Sequence, residues 1–227
     1  MYHAYKNKKD KFWYYLIMML PLVGALIYLL TEVLNKRDLE KVTEEIAIVI
    51  NPSKKVKDAE KKLAFADTFQ NRVALADAHY ENGDYENASI HYEVVLKGNF
   101  EKDFYVISQL ISAKSQAQQY KEVIRLAEKV KDTFDFKNSK AQYNYGLALD
   151  KLGRVAEAEE HLKTIDQRYS NYAERYTLAQ FYHKNGKTSK ATEILDEIIS
   201  ESEHMSSHNR RMYRHVVINV KKFREEL

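Results

Sequence analysis

Residues 74–96 read ALADAHYENGDYENASIHYEVVL, and residues 143–165 read YNYGLALDKLGRVAEAEEHLKTI. Aligned on Gly83 and Gly153, the two stretches agree at fixed offsets. Leu75 and Tyr145 stand eight residues before the glycine, and the small residues Ala76 and Gly146 seven before. Ala88 and Ala158 follow at five, Tyr92 and Leu162 at nine, Val95 and Ile165 at twelve. A further copy is phased on Gly186, with Leu178, Ala179, Ala191, Leu195 and Ile198 at the same places. Gly83 and Gly153 are 70 residues apart, twice 35, so a copy that has lost its glycine is expected between them. Centred on Gln118, it carries Leu110, Ile111, Val123, Ala127 and Val130. A period of about 34 residues with this pattern is that of paired antiparallel helices stacked into a solenoid.

Composition agrees. The chain has 227 residues, 44% of them hydrophobic and 30% charged, which supplies a core and argues against disorder. Its two prolines, Pro21 and Pro52, both lie early, so nothing downstream interrupts helices. With 36 basic against 33 acidic residues, the charge is too balanced for a nucleic-acid binder. The absence of cysteine excludes disulfides, thiolate catalysis, Cys-type zinc sites and a lipidated Cys anchor.

Phe12–Leu30 is a run of 19 residues without a charge. As a helix it spans about 28 Å, close to the ~30 Å hydrocarbon core of a bilayer. Trp13, Tyr14 and Tyr15 at its start and Tyr28 near its end suit the two interfaces. No small-residue cleavage site follows, since the chain continues Thr31-Glu32-Val33-Leu34, so an uncleaved anchor is expected over 12–34. Lys6, Lys8, Lys9 and Lys11 precede the run, while Lys36, Arg37 and Lys41 follow it. Four against three leans towards an internal N-terminus and repeats outside the cytoplasm.

The expected organisation is a basic lead at 1–11, a transmembrane helix at 12–34, and a helical linker and N-terminal cap at 35–68. Four repeats over 69–204 and a C-terminal capping helix at 205–227 complete it. Asn51-Pro52-Ser53 breaks the linker, with Ser53 expected to cap a helix over 54–66. The turns between paired helices fall at Gly83, Gln118, Gly153 and Gly186, where positive φ is expected. The second repeat is expected to keep the fold with lower local stability. At the end, Met212, Val216, Val217, Val220 and Phe223 stand at helical spacing.

With these offsets in place, the repeats resemble tetratricopeptide repeats. Trp13, then Pro21-Leu22-Val23-Gly24, then Tyr28 resembles the N-terminal membrane segment of cardiolipin synthases. Together with Asn51-Pro52, Ala66-Asp67-Thr68…Asn71-Arg72 and His208-Asn209-Arg210-Arg211, the whole chain resembles bacterial membrane-anchored tetratricopeptide proteins of unassigned function. Members of that group often carry two N-terminal hydrophobic segments. A hairpin anchor of that kind would leave the repeats in the cytoplasm, so the side of the membrane stays open. The resemblance implies an all-α superhelix whose concave face is lined by the first helix of each repeat. Mapped here, that groove comprises Asp77, Tyr80, Tyr105, Ser108, Ser112, Tyr143, Tyr176, Gln180 and His183. Tyrosine offers rigid amphipathic contact area suited to a peptide. The carboxylate clamp of chaperone-tail binders needs Lys and Asn where this chain has Val73 and Asp77, so that mode is not expected.

Other motifs yield little. Asn185-Gly186-Lys187-Thr188 contains a G-K-T, but Phe181 stands where a phosphate loop needs a second glycine. His204 and His208 are spaced for a shared metal on one helix, yet Ser206-Ser207 suggests a helix start between them. His79, His91, His161 and His183 recur at repeat positions that suit packing or groove roles. Asn87-Ala88-Ser89 is a glycosylation sequon set inside an expected helix. The expected function is a membrane-anchored adaptor that binds a protein or peptide in its groove, with no cofactor and no metal. Alternatives are a structural subunit packing through its convex surface, and, more remotely, a metal-dependent enzyme at His204 and His208.

Overall fold

The computed structural model describes Tyr15 and residues 52–227. The chain forms two units, Met1–Asp58 and Ala59–Leu227, and the repeats lie in the second. The expected anchor lies outside the described residues, with Trp13, Tyr14, Pro21, Gly24 and Tyr28; Tyr15 alone is described, and it is exposed. Among the described residues no helix is long and apolar enough to cross a membrane.

The described part is all-α, without a strand. Helix α1 spans Pro52–Phe65. Four antiparallel pairs follow: α2 Phe69–Glu81 with α3 Tyr85–Val95, and α4 Phe104–Gln116 with α5 Tyr120–Ala127. Then come α6 Lys140–Lys151 with α7 Val155–Leu162, and α8 Tyr172–Lys184 with α9 Thr188–Glu203. Two terminal helices, α10 Ser207–Met212 and α11 Arg214–Glu226, complete the solenoid.

Local chemistry sets these boundaries. Thr68, Asp103 and Ser139 each accept a hydrogen bond from the backbone N–H three residues on, opening α2, α4 and α6. Each pair turns through a left-handed residue: Gly83 (φ 77°), Gln118 (φ 57°), Gly153 (φ 79°) and Gly186 (φ 74°). The hydrogen bonds around all four are alike. Asp84, Gln119, Arg154 and Lys187 donate their N–H groups to carbonyls five residues back, at 2.8–2.9 Å. This is the Schellman arrangement. The second repeat therefore makes the same turn without its glycine, as its spacing predicts.

Small residues then allow close approach within pairs. Ala76, Ala88, Ala158, Ala179 and Ala191 are fully buried. At Gly146 an added Cβ would lie 2.8 Å from Leu162 Cγ, so only glycine fits α6 against α7. Tyr92, Leu162, Leu195 and Ile198 fill the seams, each at 0% exposure.

Two expectations are corrected. Helix α1 begins at Pro52, so Ser53 lies inside it rather than capping it. Proline serves the first helical position because its missing N–H would have no intrahelical partner there. The terminal segment is two helices broken at Tyr213, whose ring packs edge-on against Tyr172 with centroids 4.8 Å apart.

Candidate functional site

The first helices of the pairs, α2, α4, α6 and α8, carry the residues expected to line a groove. Several of them bond from one repeat to the next. Asp77 on α2 accepts from Tyr105 on α4 at 3.0 Å and from Tyr92 on α3 at 2.5 Å. Gln109 Nε2 in turn donates to the Tyr105 hydroxyl at 3.4 Å. Burial, and then the Asp77 carboxylate, push both phenols above their ordinary pKa, so they remain donors. Tyr105 nevertheless keeps 53% of its surface exposed, which leaves a rigid aromatic face open.

Tyr80, beside the edge of the Tyr85 ring, is reached by Lys140 at the start of α6. The ammonium lies 3.4 Å from the Tyr80 hydroxyl and 5.6 Å from its ring centroid. Repeats one and three therefore meet directly. Ser112 is buried and donates to the Ser108 carbonyl at 2.9 Å, while Asn144 on α6 donates to its hydroxyl at 3.1 Å. Tyr143 faces Thr177 and Glu174 on α8, and burial pushes its phenol pKa up. Lys184 donates to both oxygens of Asp150 at 3.0 Å, a second tie between α6 and α8.

The remaining expected residues have different surroundings. Tyr176 and His183 both meet Phe223 of α11 edge-on, with centroids 5.9 and 5.6 Å apart. Gln180 is exposed beside Tyr176. Asp77 and Tyr105 are thus brought together, as are Tyr176 and His183, but the second pair is a seat for the terminal helix.

Sequence reasoning missed Lys140, Asn144, Asp150 and Lys184 on these faces. Lys140 could have been found: it lies one helical turn before Tyr143. Also missed was Arg175, fully buried, which donates to Asp166 at 2.7 Å, Glu197 at 2.6 Å and Glu201 at 3.0 Å. Its partners come from three places in sequence, and no local pattern marks them.

The remote metal reading has little to stand on. His204 is the C-cap of α9 and His208 lies in α10, with Ser206 capping the new helix between them. Among the described residues no cluster of three or more His, Cys, Asp or Glu could hold a metal. Gly186 is a helix-pair turn, and Ala88 and Ser89 of the sequon are buried.

Comparison with known proteins agrees with this geometry. A family model described as Tetratricopeptide repeat matches residues 140–172, which span α6, α7 and the start of α8. No curated protein is similar in sequence. Among solved structures, MamA from Desulfovibrio magneticus RS-1, from residue 41 to its end, has a TM-score of 0.61 at 15% identity. That match covers 77% of this chain and 99% of the other. MamA of AMB-1 has a TM-score of 0.56 at 22% identity, over 70% of this chain and 94% of that one. MamA of MSR-1 has 0.51 at 19%, over 71% and 99%. At these identities the likeness is one of fold, an all-α solenoid of tetratricopeptide type.

Proposed function

We propose that this solenoid is an adaptor that binds a protein or peptide segment along the first helices of its repeats and is held at a membrane by residues 12–34. The observation that carries the binding reading is Tyr105. Its hydroxyl is fixed by Asp77 while half its surface stays open. An aromatic side chain held in one rotamer loses little entropy on contact, which is what recognition surfaces use. Tyr80, with Lys140 across it, extends the same strip. Anchoring would raise the local concentration of adaptor and partner for each other. Support for the anchor is the 19-residue uncharged run with aromatic residues at its ends.

The binding reading is tested by crosslinking mass spectrometry on membranes, comparing the native chain with Tyr105→Ala and Lys140→Glu. Expected is loss of crosslinks to α2, α4 and α6 with the melting temperature nearly kept. Crosslinks that persist in both variants and map to α3, α7 and α9 would favour a structural subunit using its convex surface. Carbonate extraction tests the anchor, and protease accessibility from either side assigns the side.

A further inference from the structure

Helix α11 stands to the last pair as earlier first helices stand to the pair before them. α4 packs on α3 and α2, α6 on α5 and α4, and α11 on α9 and α8. Each earlier first helix is then covered by its own second helix: α3 on α2, α5 on α4, α7 on α6, α9 on α8. Among the described residues, no second helix follows to cover α11.

A cleft of about 610 Å³ opens beside α11. Met205, Val217 and Ile218 supply its apolar part, and Arg210, Arg214 and Lys221 its basic part; Glu203 is the only carboxylate lining it. Ile218 keeps 55% of its surface exposed, an unusual load of open apolar area on a helix otherwise packed against its neighbours. Arg210 donates only to the Met205 carbonyl, at 3.3 Å, and Arg211, Arg214 and Lys221 form no ion pair among the described residues. A second hollow of about 440 Å³ shares Arg210 and Arg214 and adds Arg211. Elsewhere in this solenoid cations are matched to acids, as Lys184 is to Asp150 and Arg224 to Asp196.

We propose that this cleft takes an amphipathic helix from a partner protein, with its apolar stripe on Val217 and Ile218 and flanking Asp or Glu on the arginines. The register of the array makes the uncovered position one for a helix, and the unpaired guanidinium groups fix the sign of its charge. Helix-in-groove recognition combines these two elements, with apolar burial for affinity and charge for choice of partner. This site is separate from the strip around Tyr105, so the two readings stand or fall independently.

The test uses the full chain in neutral detergent micelles and fluorescence anisotropy. The probe is a labelled Leu/Glu/Ala peptide with one apolar stripe. Its controls are a scrambled peptide of equal composition and a Leu/Lys/Ala counterpart. Expected is saturable binding of the striped acidic peptide that weakens about tenfold or more in the double variant Arg214→Glu, Lys221→Glu, which should now prefer the basic peptide. Ile218→Asp should weaken binding, and Tyr105→Ala should leave it unchanged. All these side chains are exposed, and melting curves confirm the fold. The proposal is overturned if the scrambled peptide binds equally, if phosphatidylglycerol vesicles displace the striped one, or if the charge reversal has no effect. It is also overturned if light scattering shows a second copy occupying the site, as dimers that the double variant abolishes.

Discussion

Tyr105 on α4 and Asp77 on α2 share a 3.0 Å hydrogen bond, and the same carboxylate accepts from Tyr92 on α3 at 2.5 Å. One acid thus joins three helices of two repeats. Tyr92 is fully buried, so losing its acceptor strands a hydroxyl. Asp77→Ala is expected to cost about 1–3 kcal/mol, and Asp77→Asn less, because the amide keeps one acceptor oxygen. Urea unfolding monitored by circular dichroism measures both. Equal midpoints for Asp77→Ala and the native chain would refute the joint.

Gln118 holds φ 57° where the other three turns use glycine. A side chain in the left-handed region costs about 1–2 kcal/mol. Gln118→Gly is therefore expected to stabilise the protein by about 1 kcal/mol, after the entropic cost of a more flexible unfolded chain. The converse change, Gly153→Ala, should destabilise by about 1 kcal/mol. No atom lies within 4 Å of the added methyl, so backbone strain alone sets its effect. Hydrogen exchange across α4 and α5 localises the gain. A Gln118→Gly protein no more stable than the native one would contradict the strain.

These turns explain how much of the fold was legible in the sequence. A pair of helices needs a left-handed residue at its turn and small residues where the helices touch, and both requirements recur at a fixed period. That is why Gln118 could be placed by spacing alone. Contacts between repeats have no such period. Lys140 reaches Tyr80 across 60 residues, and nothing near either residue announces it. Tyr176 and His183 were assigned to a groove by repeat position, yet Phe223 packs on both, because the lie of α11 is set by tertiary packing. The break at Tyr213 was hidden for a similar reason: the apolar spacing runs through it, while the Tyr172 contact that accompanies it is distant in sequence.

The His79 and His91 rings stack with centroids 5.5 Å apart and planes 13° from parallel. His79 Nδ1 lies 3.0 Å from Asp84, whereas His91 Nδ1 is buried without a hydrogen-bond partner. Burial pushes the His91 pKa below its ordinary value; His79 and Arg72 push the same way, and Glu60 opposes them. At pH above the unfolded value of about 6.5 the ring is neutral in both states. As pH falls below that, the unfolded chain takes up a proton that the folded chain resists, and stability is lost through the folded pKa. His161 shares the direction, again through burial. Thermal melts from pH 7.5 down to pH 5 should show a falling midpoint, with a shallower slope in His91→Gln. Identical slopes would remove His91 from the pH response.

Arg175 is fully buried and ties the connection before α8 to α9 through Asp166, Glu197 and Glu201. Glu201 also accepts from the Tyr169 N–H at 2.8 Å and from Arg168 at 3.1 Å. Burial alone would raise the Glu201 pKa, but these donors and the Arg175 charge outweigh it and hold the carboxyl below its usual range. Its contribution to stability is therefore present above the unfolded pKa and lost as pH falls through the lower folded value. Arg175→Met removes the cation and leaves Glu201 buried with one partial partner, at an expected cost of about 3–5 kcal/mol. Arg175→Lys should fall between, since an ammonium cannot match the planar fork that reaches three acids at once. Urea unfolding at pH 7 and again at pH 3 separates the parts. At pH 7 the Arg175→Met midpoint should drop sharply, and its further loss at pH 3 should be smaller than that of the native chain. A full acid loss retained in Arg175→Met would mean that carboxylates outside this network govern the acid limb.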